Sequence, residues 1–113
     1  MNVLLVDDDS DCLETTQMLL EALDHHCVAA ADPRDALELF LRQKFDLVIT
    51  DFRMPCMTGS ELARKIINTT PDAKIVLLSG YYPGEDSPVE SLFTAFLEKP
   101  VDIHELKSVL SSL

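Results

Sequence analysis

The chain has 113 residues, 47% of them hydrophobic, and its 20 acidic against 9 basic side chains give a formal net charge of −11. That length and apolar content support one folded domain over residues 1–113 and argue against disorder, and no apolar run approaches the roughly 18 residues of a membrane span. The charge argues against direct nucleic-acid or anionic-membrane binding and suits a cation or a basic protein surface.

The N-terminus lacks the charged start, apolar stretch and cleavage pattern of a signal peptide, so a cytoplasmic chain is expected. Cys12, Cys27 and Cys56 are odd in number and lack C-x-x-C or zinc-ligand spacing, which points to reduced thiols in packing or surface roles.

The first apolar run, Val3 to Val6, reads as a buried strand and leads directly into Asp7, Asp8 and Asp9, with Asp11 close behind. Two like charges about 4 Å apart repel by roughly 4 kcal/mol at an effective dielectric near 20. The cluster is therefore either a wet turn or a place for a cation. A helix over about Ser10 to Asp24 follows, capped by Asp9 or Ser10, with Leu13, Leu20 and Leu23 on one side and His25 and His26 complementing the dipole at its end.

Cys27 to Ala31 is the second strand. Asp32 as N-cap and Pro33 at the first helical position open a second helix with the stripe Ala36, Leu37, Phe40 and Leu41. The third strand, Phe45 to Thr50, ends at Asp51. Thr58 and Glu61 have capping-box spacing before the stripe Leu62, Ile66 and Ile67.

The fourth strand, Ile75 to Leu78, ends at Ser79. The segment "GYYPGEDSPVES" (80–91) holds two prolines and two glycines, which predicts a loop and at most two helical turns, so that helix 4 is short or partly disordered. Ala95 to Leu97 is the fifth strand. It is followed by Lys99, Pro100 and a last helix opened by Asp102 and Glu105, with stripe Ile103, Leu106, Val109 and Leu110 and with His104 exposed.

Strands without polar alternation, separated by helices, predict a three-layer α/β sandwich around a parallel sheet, in the flavodoxin-like order 2-1-3-4-5. Functional groups of such sheets gather beyond the carboxyl ends of the strands. Asp7, Asp8, Asp51, Ser79 and Lys99 all fall there. Their carboxylates suit a hard divalent cation with oxygen ligands, and Lys99 offsets part of the charge.

With these residues in place, the sequence resembles the receiver domains of two-component response regulators, the CheY-like superfamily. "LLVDDD" is similar to the family's first-strand acidic pair and "DLVITDFRMPCMTGSEL" to its phosphoacceptor segment. "IVLLSG" matches the switch-hydroxyl segment and "FLEKP" the Lys-Pro segment.

The resemblance implies that Asp51 takes a phosphoryl group from a histidine kinase or histidine phosphotransfer protein, with Mg2+ or Mn2+ as cofactor. Asp8, Asp51 and the Arg53 backbone carbonyl would hold the cation directly, and Asp7 through water. Lys99 would pair with Asp51 and then with a phosphoryl oxygen, and Ser79 would supply the switch hydroxyl. Pro55 and Gly59 would form the turn into the third helix, and a cis bond before Pro100 would aim Lys99 inward.

Phe96 stands where many members carry a switching tyrosine. Arg53 and Tyr81 hold the positions that tune loss of the phosphoryl group, and their bulk implies slow self-dephosphorylation. "LSG" leans toward receivers of hybrid kinases, and "PGEDSP" alters the helix 4 face through which the family contacts its output protein or adjoining domain. The implied partner dock lies near the first helix and the Lys99–Asp102 loop.

The alternative is a phosphorylation-independent interaction module with a vestigial site. Phosphohydrolase chemistry wants a D-x-D pair that "DFRMP" lacks, and no nucleotide-binding glycine motif is present.

Overall fold

A computed structural model describes residues 1–80 and 90–113. Strands β1 (Asn2–Val6), β2 (His26–Ala30), β3 (Leu47–Asp51), β4 (Ile75–Ser79) and β5 (Ala95–Glu98) form one parallel sheet in the order β2-β1-β3-β4-β5. Helices α1 (Ser10–Ala22), α2 (Pro33–Arg42), α3 (Gly59–Thr69) and α4 (Ile103–Ser112) connect or follow them, with a short 3-10 turn at Glu90–Leu92. Among the described residues this turn is the only helical element between β4 and β5. Residues 81–89 of the altered helix 4 segment lie outside the described residues.

Period-2 geometry in β1 builds two cores at once. Leu4 and Val6 face one side of the sheet, against Ala36 of α2 and Leu62 and Ile66 of α3, whereas Val3 and Leu5 face the other, with Leu20 of α1 and Leu106 and Leu110 of α4. Both faces being covered is why the strands read as continuous apolar runs.

The helix starts follow the expected cap chemistry with one difference. Asp9 caps α1, its Oδ1 accepting the Asp11 and Cys12 N–H groups at 3.0 and 3.3 Å. Asp32 accepts the Arg34 N–H at 2.7 Å with Pro33 at the start of α2, and Thr58 and Glu61 form a reciprocal capping box on α3. Asp102 instead accepts the His104 N–H at 3.0 Å, and among the described residues no bond from Glu105 returns to it.

The first helix ends at Ala22 rather than Asp24, because Asp24 takes a left-handed conformation (φ 65°) that stops it. At the end of this helix the His25 N–H donates to the Leu20 carbonyl at 3.0 Å, while its ring lies 3.0 Å from the Met1 nitrogen and His26 opens β2.

Candidate functional site

Parallel pairing puts the carboxyl ends of β1, β3 and β5 on one edge, and with them the residues that follow. The Asp7 N–H extends the β1–β2 ladder to the Ala30 carbonyl at 3.2 Å, which fixes its fully buried side chain. Asp7 Oδ1 accepts the Asp9 N–H at 3.0 Å. Asp7 Oδ2 forms an ion pair with Lys99 Nζ at 2.9 Å and, among the described residues, accepts no further hydrogen bond.

Asp51 closes β3 with 8% of its surface exposed. Its Oδ1 accepts the Phe52 N–H at 2.8 Å, and its Oδ2 lies 3.3 Å from Lys99 Nζ. Lys99 thus bridges two carboxylates. Asp8 is exposed, and Asp7, Asp8 and Asp51 each offer an oxygen within 4.8 Å of the others.

Three carboxylates against one ammonium leave the set short of positive charge. Burial pushes the Asp51 pKa up and the Asp7 charge adds to it, while Lys99 and the Phe52 N–H oppose without prevailing. Burial also disfavours the Lys99 ammonium, but its bond to Asp7 and the charges of Asp51 and Asp7 outweigh that and hold its pKa well above the ordinary lysine value. Closely spaced oxygens, two of the three groups buried and a net negative balance together fit a hard divalent cation.

The loop from β3 to α3 packs against the same point. A Cβ on Gly59 would collide with the Asp51 carbonyl oxygen and come within 3.1 Å of Phe52 Cα, so no other residue fits without moving backbone. The Arg53 guanidinium lies over the Phe52 ring, 5.9 Å from its centroid. Pro55 is exposed in this loop, and Pro100 is exposed beyond a cis Lys99–Pro100 peptide.

Ser79 ends β4 on the site edge, paired in register with Glu98, and its side chain lies outside the described residues, as does Tyr81. Phe96 points outward from β5, 39% exposed, its ring tilted against Phe93 at 5.8 Å.

Two residues at the site escaped the sequence reading. Thr50 is fully buried and donates its hydroxyl to the Asp51 carbonyl at 2.9 Å. Cys12, on the first turn of α1, is half-buried beside the site, and burial followed by Asp7 pushes its thiol pKa up. Cys56 is exposed.

The sequence model of the response regulator receiver domain matches residues 3–111. This chain belongs to that family. The receiver chain is 36% identical to the two-component response regulator ARR10 of Arabidopsis thaliana over 96% of its own length and 20% of that protein. It is 29% identical to the response regulator receiver protein CpdR of Brucella abortus, covering 98% of this chain and 94% of that one.

The structure of TrrA from Thermotoga maritima in complex with Mg(2+)-BeF matches with a TM-score of 0.90 at 29% identity, over 98% of this chain and 96% of that one. The receiver chain spans about a fifth of the length of the plant regulators it matches. No helix among the described residues is long and apolar enough to cross a membrane.

Proposed function

We propose that this receiver accepts a phosphoryl group on Asp51 from the phosphohistidine of a histidine kinase or histidine phosphotransfer protein, and signals by conformational change to an output protein or adjoining domain. One observation carries the reading. Asp51 ends a central strand with one oxygen held by the Phe52 amide and the other facing Lys99, inside a cluster of three carboxylates.

In the transfer, an Asp51 oxygen attacks phosphorus, forming the O–P bond as the N–P bond breaks. The electron pair of that bond returns to the imidazole nitrogen of the donor. Lys99 offsets charge on the phosphoryl oxygens, and Ser79 is the proposed switch hydroxyl. Such reactions depend mainly on positioning and charge.

Asp8, Asp51 and the Arg53 carbonyl are the proposed direct ligands of Mg2+ or Mn2+, with Asp7 acting through water. When bound, the cation supplies neutralisation of the phosphoryl oxygens. The complex of TrrA with Mg(2+)-BeF supports this choice of cation. A vestigial interaction module is not favoured, because the acidic residues and the lysine that it could dispense with are present and clustered.

Intact mass after incubation with a small acyl phosphate tests the reading. With Mg2+ the protein gains one phosphoryl group, whereas a chelator or Asp51→Asn abolishes the gain. A folded wild-type protein that gains nothing, or gains equally without a divalent cation, contradicts it.

A further inference from the structure

The Asp51 carboxylate is held from behind by a peptide group that is itself gripped at its carbonyl end. Thr50 donates its Oγ1 hydrogen to the Asp51 carbonyl oxygen at 2.9 Å, and the N–H of that same peptide unit, on Phe52, donates to Asp51 Oδ1 at 2.8 Å. Because a peptide is planar, fixing the direction of its carbonyl fixes the direction of its N–H.

The start of α3 closes on the same unit. Gly59 leaves no room beside the Asp51 carbonyl, and its own N–H donates to the Phe52 carbonyl at 2.7 Å. Asp51 Oδ2 is the oxygen turned toward Lys99, at 3.3 Å.

The residue type argues in the same direction. Leu47, Val48 and Ile49 precede Thr50 in β3, all buried, and an isosteric valine would fill the Thr50 site without placing a hydroxyl in the interior. A buried hydroxyl destabilises a core unless it is hydrogen-bonded. Here the bond goes to the one carbonyl whose orientation sets the nucleophile.

We propose that Thr50 is a positioning residue for phosphoryl transfer, its hydroxyl fixing the Asp51–Phe52 peptide so that one carboxylate oxygen is occupied and the other faces Lys99. The inference rests on the proposed function above and adds a residue that touches neither donor nor cation.

Two substitutions separate hydrogen bonding from packing. Thr50→Val keeps volume and removes the hydroxyl, and Thr50→Ser keeps the hydroxyl and removes a methyl group. Three readouts are taken with acyl phosphate and Mg2+: the maximal rate of mass gain, the donor concentration at half-maximal rate, and the Phe52 amide proton shift by NMR without donor.

Thr50→Val is expected to slow the maximal rate about tenfold or more, leave the half-saturating donor concentration unchanged and move the Phe52 amide upfield. Thr50→Ser should match the wild type in all three. The positioning role is overturned if the wild type is phosphorylated and Thr50→Val keeps its rate or its Phe52 shift, or if Thr50→Ser is the slower variant. If the wild type gains no phosphoryl group, the proposed function fails and this role with it.

Discussion

Burial raises the Asp51 pKa and the charge of Asp7 raises it further. The folded protein therefore binds a proton at Asp51 more tightly than the unfolded chain does. Stability from this group is full below its ordinary pKa and is lost as pH rises through the raised one. Without divalent cation, Asp51→Asn should melt several degrees above the wild type near neutral pH, and the gap should close as pH falls through the Asp51 titration. Melting curves in chelator across that range check it, and a variant equal to or less stable than the wild type at neutral pH contradicts it.

Asp7, Asp8, Asp51 and Lys99 were legible in the sequence because charged residues directly after apolar strands are poor core and stand out. Thr50 was not, since a threonine inside a buried strand is an ordinary β former until its hydroxyl partner is seen.

Caps at the element scale set where helices begin, and here one cap also frames the site. Thr58 accepts the Glu61 N–H at 3.1 Å, and the next residue is the glycine that closes on the Asp51 carbonyl. Thr58→Ala is expected to cost about 1 kcal/mol, read as a fall in Tm of about 4–8 °C, with far-UV helicity retained. An unchanged Tm would show that Glu61 or solvent satisfies the helix end alone.

The caps at Asp32 and Thr58 were readable from residue type and spacing, because the bonds they make are local. The stop of α1 was not, because it depends on Asp24 entering a left-handed conformation that aspartate tolerates but does not announce. Nor was the reason for Gly59, which rests on a close approach between β3 and α3 that no local pattern encodes.

The whole molecule is organised by a sheet covered on both faces, and that architecture was the most legible feature. Continuous apolar strands separated by amphipathic helices leave few parallel topologies, and the order β2-β1-β3-β4-β5 is the one found. Leu77, at the middle of β4, is fully buried in the core that α2 and α3 share. Leu77→Ala should cost about 2–5 kcal/mol by denaturant unfolding, a large part of the roughly 5–15 kcal/mol typical of such a domain.

The same sheet delivers residues far apart in sequence, Asp7, Asp51 and Lys99, to within ion-pair distance. That convergence makes Asp51 the expected phosphoacceptor among 20 acidic residues. The most direct measurement is borohydride reduction of acyl-phosphate-treated protein followed by peptide mass mapping, which converts an aspartyl phosphate to homoserine and so marks its position. Conversion at position 51 alone is the expected result. Conversion at Asp7, Asp8 or another carboxylate, or none in a protein that has gained a phosphoryl group, would contradict the assignment of Asp51.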